Sequence, residues 1–295
     1  MRITEFFDRG EFVITAEVGP PKGTNIDGLI EEAKEYLSDI SAVNVTDNQS
    51  SVMRMGSLPV CIALKQAGLN PILQMTCRDR NRMGLQSDLL GAAYFGIDNV
   101  LSLTGDHTTL GDHPTAKPVF DLDSVSLLYN MVQLENGKDI AGNDLVGEAP
   151  KFAKGAVVSP CSDSVDAQIA KMQRKIMAGC EFFQTQAVYD SEKFASFMKK
   201  IRDMGITTPV QLGIVIPKNA GMCRYMNANV AGISIPDEMI QELAADKEKA
   251  KSGETGLNIA ARIIRECRPY VQGLHIMAMG WESKVPQLLE MAGLR

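Results

Sequence analysis

The sequence predicts a single (β/α)₈ TIM barrel that takes in residues 1–295. Short apolar runs alternate with helical patterns about eight times, which is the count that a closed barrel of parallel strands requires. Most of these runs are apolar throughout, as in strands that are covered on both faces. No Pro- or Ser-rich linker divides the chain, so one domain is expected. An open doubly wound sheet uses the same alternation and is the alternative, but no GxGxxG turn follows the first strand.

Eight runs rich in Val, Ile, Leu and Phe are the predicted strands. Residues with a high preference for strands fill each run, and Gly, Pro, Asn, Asp or Ser stands near its ends. The first run ends at a stiff Gly-Pro-Pro turn, and the fourth ends at a glycine. In chain order the predicted strands are EFVITAEV (11–18), SAVNVT (41–46), PILQMTC (71–77), NVLSLTG (99–105), KGAVVSP (154–160), EFFQTQ (181–186), PVQLGIVI (209–216) and GLHIMAM (273–279).

Helical patterns fill the intervals between these strands. In the first of them, Ile26, Leu29 and Ile30 recur at helical spacing. The Ser50-Ser51 pair is predicted to cap the second helix, and Asp123 is predicted to cap the fourth. Segment 237–250 is predicted to be an extra helix. The predicted helices are residues 25–38, 53–67, 83–95, 124–134, 164–178, 191–204, 222–226, 237–250, 256–267 and 284–292.

The composition argues against several classes of function. The chain has 295 residues, 45% hydrophobic and 22% charged, and its formal net charge of −6 argues against nucleic acid as a partner. No apolar run reaches membrane-spanning length and the N-terminus does not resemble a signal peptide, which predicts a cytoplasmic protein. Six cysteines without a CxxC pair and three histidines without ligand spacing predict reduced thiols and no metal site.

Two carboxylates stand at the ends of predicted strands, where the reaction mouth of a barrel lies. Glu17 ends the run FVITAE, and the Gly-Pro-Pro that follows soon after it fixes the loop behind it. Asp106 ends LSLTGD and belongs to a long loop, 105–121, of the kind that carries function. A carboxylate in such a place is costly to desolvate unless it is paired, protonated or used. From position alone, catalysis and a buried salt bridge with Arg or Lys are equal alternatives for both residues.

Other polar positions near the predicted mouth have two interpretations each. Gly105 allows a ligand or a flat ring to approach the backbone closely, and an ordinary tight turn is the alternative. His275 lies inside the last apolar strand, where a satisfied core histidine is predicted. Lys171 and Lys175 recur at helical spacing, which is typical of a solvated helix face unless one of them reaches a phosphate.

Seven short motifs occur in order along nearly the whole chain. They are ITAEVGPP, NVTDN, LQMTC, LSLTGDH, KPVFDLDSVSLL, RKIMAGCEFFQTQAVYD and GIVIPKNAGMCRYM. Any one of them is short, but chance agreement over the ordered set is remote. Together they resemble the methylenetetrahydrofolate reductases.

The resemblance implies a fold, a cofactor and a reaction. Members of that family are (β/α)₈ barrels that bind a flavin, usually FAD, at the C-terminal mouth, and FMN is the alternative here. They reduce 5,10-methylenetetrahydrofolate to 5-methyltetrahydrofolate, a step of one-carbon metabolism that serves methionine biosynthesis. The flavin receives a hydride from NAD(P)H and passes it to folate bound at the same face, which implies ping-pong kinetics.

The resemblance also implies roles for particular residues. Glu17 matches the general acid that protonates a folate nitrogen and opens the methylene bridge to an iminium, and apolar surroundings that keep it protonated suit that role. Asp106 matches an aspartate beside the flavin pyrimidine edge that orients the pterin and tunes the flavin. Gln186 matches a glutamine that binds folate or nucleotide. The implied flavin-binding residues are Thr46, Gln74, Thr104, Gly105, Asp106, Phe120, Ser159, Asp163, Lys171 and Lys175, with Lys175 as the phosphate ligand.

Four positions differ from the family pattern. Gly221 stands where many members carry a stacking Phe, while Gln74, Thr104 and Ser159 replace a His, an Arg and an aromatic residue. The missing Phe favours the hypothesis that electrons come from a partner protein rather than directly from NADH. Two other hypotheses are a barrel that binds folate or another pterin without redox chemistry and a subunit of a larger electron-transfer complex. A homo- or hetero-oligomer is expected.

Overall fold

Eight parallel strands close into a barrel in the computed structural model, which describes residues 1–230, 232–245 and 247–295 and, at residue 247, the backbone alone. The strands are β1 (Val13–Val18), β2 (Ala42–Val45), β3 (Pro71–Thr76), β4 (Asn99–Leu103), β5 (Ala153–Val158), β6 (Phe182–Ala187), β7 (Val210–Val215) and β8 (Gly273–Met277). Each strand pairs with the next along the chain, and β1 also pairs with β8. All eight predicted strands are confirmed, and the open-sheet alternative is wrong.

Helices alternate with the strands and pack around the barrel. All ten predicted helical segments are found, with ends that shift by a few residues, and segment 237–250 is two helices with residue 246 between them outside the described residues. The helices are α2 (Asp27–Tyr36), α3 (Ser57–Gln66), α4 (Arg82–Tyr94), α5 (Ser124–Glu135), α6 (Val165–Met177), α7 (Ser191–Asp203), α8 (Ala220–Asn229), α9 (Asp237–Ala245), α10 (Lys247–Ser252), α11 (Glu254–Cys267) and α12 (Val285–Met291), preceded by α1 (Ile3–Asp8). Within the described residues, no helix is both long and apolar enough to cross a membrane.

The helix caps confirm one prediction and correct another. Asp123 caps α5, because its side chain accepts from the Ser126 amide at 2.8 Å. The predicted cap at Ser50-Ser51 is wrong: α3 begins six residues later, at Ser57. Ser50 and Ser51 have φ values of 56° and 59°, so the backbone there turns left-handed and cannot lead directly into a helix.

The short N-terminal helix α1, which the sequence patterns did not predict, closes the lower end of the barrel. Ile3 is fully buried, and its backbone nitrogen donates to Asn99 Oδ1 at 2.7 Å. Its six residues are too few to show a helical period, so packing rather than local preference holds the helix. The apolar side chains that pack with Ile3 at this end are Val13, Ala42, Ile72, Leu101, Ala153 and Phe182.

A layer of polar side chains fills the barrel above that apolar plug. It consists of Thr15, Asn44, Gln184, Gln211 and His275, each at most 3% exposed. Gln184 Nε2 lies 3.2 Å from the side-chain oxygens of both Asn44 and Gln211, and Asn44 Nδ2 donates back to Gln184 Oε1 at 2.9 Å. Buried polar groups that are paired in this way cost little and fix one another's orientation.

The loops that follow β2 and β4 lock together over the upper end of the barrel. A Cβ atom at Gly111 would lie 1.7 Å from the carbonyl oxygen of Ser51, so the two backbones touch there and only glycine fits. Asp112 accepts from the Met53 amide at 3.0 Å and pairs with Lys22 in the loop after β1. The Lys22 ammonium, with help from His113 and the Met53 amide, holds the pKa of Asp112 well below its usual value.

Backbone strain is concentrated at this same end of the barrel. Among the described residues, five that are not glycine have a positive φ, and all five lie in loops beyond the carboxyl ends of β2, β4 and β8. They are Asn48, Ser50, Ser51, Phe120 and Met279. Such conformations persist only where the surrounding structure enforces them, and they cluster at functional sites. The upper end is therefore where a functional site is expected.

Candidate active site at the barrel mouth

Glu17 stands near the top of β1 with its side chain directed into the barrel. Its Oε1 accepts from Gln74 Nε2 at 2.7 Å and lies 3.4 Å from His275 Nε2, and the side chain is 11% exposed. Among the described residues, no Arg or Lys pairs with it, so the salt-bridge alternative does not hold for Glu17. Its neighbours are an amide and an imidazole rather than the apolar surroundings that we expected.

A cavity of about 330 Å³ opens beside Glu17 at the mouth. This volume is within the range of small-molecule sites. Asp106 is exposed there, and Gln186 Oε1 accepts from the Ala187 amide at 3.2 Å, so the side-chain nitrogen of Gln186 is left for a ligand. Five of the twelve predicted site residues therefore come together around one space. Those that line it are Glu17, Gln74, Gly105, Asp106 and Gln186.

A second, larger cavity of about 670 Å³ is also lined by Glu17. Thr46 lines it, is 2% exposed, and has a hydroxyl with no hydrogen-bond partner among the described residues. A buried polar group left unpaired costs about 1–3 kcal/mol, so a ligand atom is expected to meet it. Arg54 and Glu282 supply charge at the rim of the same cavity. Glu17 thus lines both spaces.

A buried arginine holds the loop that carries Asp106. Arg78 is 2% exposed, and its guanidinium donates to the backbone oxygens of Asp106 and Asn48, each at 3.2 Å. Gly105 has a φ of 93°, and a Cβ atom there would lie 3.1 Å from the Cβ of Arg78. The positive φ confirms a turn at Gly105, which also lines the cavity, and the approach of a ligand to its backbone stays a prediction.

Several predicted flavin-binding residues line neither mouth cavity. Thr104 Oγ1 accepts from the Ser124 amide at 3.1 Å, so it holds the start of α5. Phe120 stacks on His107 with ring centroids 6.3 Å apart. The amide of Ser159 lies 3.4 Å from a side-chain oxygen of α6. Asp163 lines a separate cavity of about 530 Å³ beside α7. The roles of these residues toward a cofactor stay predictions.

The two predicted lysines on α6 differ in what they contact. Lys175 Nζ donates to the backbone oxygen of Val157 at 2.6 Å, and burial lowers the pKa of this ammonium. Lys171, one helical turn nearer the mouth, is exposed. An ammonium that is already engaged with a carbonyl is a poorer phosphate ligand, so the geometry favours Lys171 over Lys175.

Three residues near the mouth were not predicted to belong to the site. His275 is 3% exposed and contacts Thr15, as a satisfied core histidine should, but its second ring nitrogen faces Glu17. No pattern in the sequence marks Thr15 or Arg78 as a functional residue. Alternation along β8 carries a usable signal, because Gly273 and Met277 bracket His275 on the inward face, where a polar residue near the strand end would reach the mouth.

The groups around the two cavities fit a flat heterocycle with alternating donors and acceptors on its edge. A free hydroxyl at Thr46, a carboxylate at Asp106, an amide at Gln186 and a glycine backbone at Gly105 present both kinds of group. The pyrimidine edge of a flavin and the pterin of a folate both have that character. In the part of the chain that the structure describes, no group of three or more His, Cys, Asp or Glu residues is placed to hold a metal ion.

Sequence comparison identifies relatives over nearly the whole chain. A family model described as "Methylenetetrahydrofolate reductase" matches residues 2–293. The "5,10-methylenetetrahydrofolate reductase" of Salmonella typhimurium is 25% identical over 263 residues, which cover 87% of this chain and 82% of the relative. A "Probable methylenetetrahydrofolate reductase (NADPH)" of Caenorhabditis elegans is 23% identical and covers 99% of this chain. The chain spans only 44% of the length of that relative.

Solved structures share the barrel at low sequence identity. An uncharacterized protein from Clostridium thermocellum, described as binding two copies of 5-methyl-5,6,7,8-tetrahydrofolic acid, superposes with a TM-score of 0.68 at 15% identity and covers 99% of this chain and 98% of that one. A dihydropteroate synthase from Coxiella burnetii in complex with pteroic acid gives a TM-score of 0.52 at 9% identity, covering 96% and 93% of the two chains. At these identities the likeness shows the fold.

Proposed function

Because the chain belongs to the methylenetetrahydrofolate reductase family, we propose that it reduces 5,10-methylenetetrahydrofolate to 5-methyltetrahydrofolate with a bound flavin. One observation carries the proposal: Glu17 lines both mouth cavities, so it borders the space that a ligand would occupy in either. The Clostridium thermocellum protein of the same fold is described as binding 5-methyl-5,6,7,8-tetrahydrofolic acid, which supports a folate as the ligand of this chain.

Glu17 acts as the proton donor to the substrate. The methylene bridge of the folate closes a five-membered ring between two nitrogens, and it accepts hydride only after one nitrogen is protonated and the ring opens to an iminium. A carboxylic acid at the edge of the cavity, with limited access to water, is suited to that transfer. Gln74 holds one oxygen of the carboxyl group and leaves the other for the substrate nitrogen.

A flavin bound at the mouth would supply the hydride. The hydroxyl of Thr46, the backbone at Gly105 and the carboxylate of Asp106 would hold its ring, and the amide of Gln186 would orient the pterin. Lys171 is the exposed ammonium available for a phosphate. FAD is the proposed flavin and FMN the alternative, because the residues at the mouth address the ring that both share.

Absorption of the purified protein and the mass of its extracted cofactor test the flavin. A yellow protein that releases FAD or FMN is the expected result, and the mass separates the two. A colourless protein that binds 5-methyltetrahydrofolate but no added flavin would favour the non-redox pterin-binding barrel instead.

Replacing Glu17 tests the acid. In Glu17→Gln, reduction of 5,10-methylenetetrahydrofolate should fall about 10²- to 10⁴-fold, which is the usual contribution of a positioned acid. Reduction of the flavin should survive, because it needs no proton from this side chain. Stopped-flow absorbance separates the two half-reactions. Glu31→Gln, on the exposed face of α2, is the matched control and should keep both rates. Unchanged folate turnover in Glu17→Gln would remove the assignment.

The electron donor is either NAD(P)H or a partner redox protein. The names of relatives specify NADPH or NADH for those proteins. Gly221, in the first turn of α8, offers no ring on which a nicotinamide or adenine could stack, and this favours the partner protein. Brisk oxidation of NADH or NADPH by the purified chain with a flavin acceptor would contradict the partner.

A further inference from the structure

Strand β6 contains one extra residue where it pairs with β7 near the mouth. Gln184 lies opposite Gln211, but the next pair is Ala187 and Gly213. Three steps along β6 therefore match two steps along β7, which defines a β-bulge. A bulge bends its strand and changes the direction in which the side chains point, and bulges are frequent next to active sites.

The bulge brings three consecutive side chains to one cavity. In a regular strand, neighbouring side chains point to opposite faces, so only every second residue meets the same space. Gln184, Thr185 and Gln186 nevertheless all line the mouth cavity of about 330 Å³. The direction of the Gln186 side chain is therefore set by the bulge and by the contacts that hold it, and not by simple alternation along β6.

The hydroxyl of Thr185 bridges the two strands at the bulge. The Gly213 amide donates to Thr185 Oγ1 at 2.8 Å, and Oγ1 donates to the backbone oxygen of Gln186 at 2.8 Å. A backbone N–H can only donate and a carbonyl oxygen can only accept, so the direction of both bonds is fixed. Thr185 is 2% exposed, so water has little access to these bonds. The hydroxyl thus serves the Gly213 amide where the extra residue disrupts the backbone ladder.

Gly213 allows the backbones of β6 and β7 to approach closely at this point. A Cβ atom there would lie 2.1 Å from the carbonyl oxygen of Thr185 and 3.0 Å from that of Gln186. The carbonyl oxygen of Gly213 accepts from the Val188 amide at 3.0 Å, so the pairing resumes directly after the bulge. A side chain at position 213 would push Thr185 and Gln186 away from their observed positions.

The carboxamide of Gln186 uses its oxygen inside the protein and leaves its nitrogen for a ligand. Its Oε1 accepts from the Ala187 amide at 3.2 Å, and this donor identifies the oxygen. Among the described residues, no acceptor lies within hydrogen-bond distance of Nε2. Gln186 lines the cavity and is half-buried, so it offers two N–H donors there. The ligand atom that it recognises is an acceptor, such as a carbonyl oxygen or an unprotonated ring nitrogen.

We infer that Thr185 is a positioning residue for Gln186. Its hydroxyl holds the bulge through Gly213 and the Gln186 carbonyl, and the bulge turns the carboxamide nitrogen toward the cavity. Thr185 itself needs no contact with the ligand, because both of its polar bonds go to the backbone. The part played in folate binding rests on the proposed function, whereas the clasp between Thr185 and Gly213 does not.

Amide hydrogen exchange, measured by NMR on the full chain without folate, tests the clasp. The Gly213 amide should exchange much more slowly than the amide of Gly23, which lies in an exposed loop. Thr185→Val should speed exchange at Gly213 about tenfold, and Thr185→Ser, which restores the hydroxyl, should keep it slow. Exchange at Gly213 as fast as at Gly23 in the unmodified chain overturns the inference without any variant having to fold. Equal protection in Thr185→Val also overturns it.

Titration calorimetry with 5-methyltetrahydrofolate tests the positioning, on flavin-loaded protein that is chemically reduced so that no hydride moves. Thr185→Val and Gln186→Ala should each weaken binding about tenfold, the loss expected for one hydrogen bond, and Thr185→Ser should bind normally. The double variant Thr185→Val/Gln186→Ala should also lose only about tenfold, because Thr185 acts through Gln186. Losses that multiply to about a hundredfold would show an independent effect and overturn the positioning role.

The proposed function fails in a different way from the clasp. If Gln186→Ala binds 5-methyltetrahydrofolate as tightly as the unmodified chain, Gln186 has no part in folate binding, while exchange at Gly213 still decides whether Thr185 holds the bulge. Thr207→Val, in the exposed loop before β7, is the matched control and should change neither exchange at Gly213 nor folate affinity.

Discussion

At the scale of single residues, polar side chains from two other strands contact the carboxyl group of Glu17. Glu17 was expected in apolar surroundings, and it lies against Gln74 and His275 instead. Both neighbours come from strands distant in sequence, β3 and β8. A polar setting orients the acid rather than simply desolvating it, so its geometry depends on groups that can be replaced one at a time.

The cysteines show how burial changes the pKa and the reactivity of a side chain. All six are free thiols and buried, and loss of hydration raises the pKa of Cys77, Cys180 and Cys267 to about 12. The thiolate is the reactive form, so a raised pKa makes a thiol inert near neutral pH. The scattered spacing in the sequence predicted reduced thiols, and their low reactivity follows from burial.

We expect the native protein to react very slowly with a disulfide reagent at pH 8, and all six thiols to react once denaturant is added. The pKa of a buried thiol is higher in the folded protein than in the unfolded chain. Each such thiol therefore stabilises the folded protein fully below the unfolded pKa near 9, and this stabilisation is lost as pH rises toward 12. Urea unfolding curves should therefore show falling stability above pH 9. Rapid labelling of native protein, or stability that rises between pH 9 and 11, would contradict the burial argument.

At the scale of elements, the loops after β2 and β4 form one unit. Their backbones touch at Ser51 and Gly111. Asp112 of the β4 loop accepts from the Met53 amide of the β2 loop and pairs with Lys22 of the β1 loop. Arg78 fixes the start of the same β4 loop from below. Because the loops support each other, the position of Asp106 depends on contacts that are far from it in sequence.

Gly111→Ala should separate these loops, because a methyl group cannot lie 1.7 Å from a carbonyl oxygen. We expect a loss of about 1–3 kcal/mol in stability, as for other overpacked sites, together with faster hydrogen exchange across residues 105–121 and weaker folate binding. Gly23→Ala in the loop after β1 is the control, since a methyl group added there would meet nothing within 4 Å and should change neither property. Equal exchange in both variants would show that the loops are not coupled.

At the scale of the whole molecule, the two ends of the barrel carry different tasks. The lower end is an apolar plug around Ile3, and the upper end holds the cavities, the strained loops and the unpaired hydroxyl of Thr46. Barrels of this kind place chemistry at the carboxyl ends of the strands and stability at the other end. That residues 1–295 form one domain stays a prediction, and so does the oligomeric state.

Substitution of Ile3 separates these two tasks. Ile3→Ala should lower the free energy of unfolding by about 2–5 kcal/mol, and Ile3→Val by about 0.5–1.5 kcal/mol, because each leaves a cavity of its own size in a closed core. Folate and flavin affinity of the folded protein should not change in either variant. Urea unfolding gives the first quantity and titration calorimetry the second. A stability loss below about 0.5 kcal/mol in Ile3→Ala, on the order of an exposed site, would mean that α1 is not part of the core.

The sequence by itself determined the alternation of strands and helices, and with it the barrel. It also placed Glu17, Gln74, Gly105, Asp106 and Gln186 at one mouth, because the carboxyl ends of parallel strands converge at one edge. Tertiary structure alone decided that His275 faces Glu17, that Lys175 is engaged with Val157, and that α1 plugs the lower end. These contacts join residues from strands and helices far apart in sequence. They depend on the register at which the barrel closes, and short-range patterns in a chain contain no information about that register.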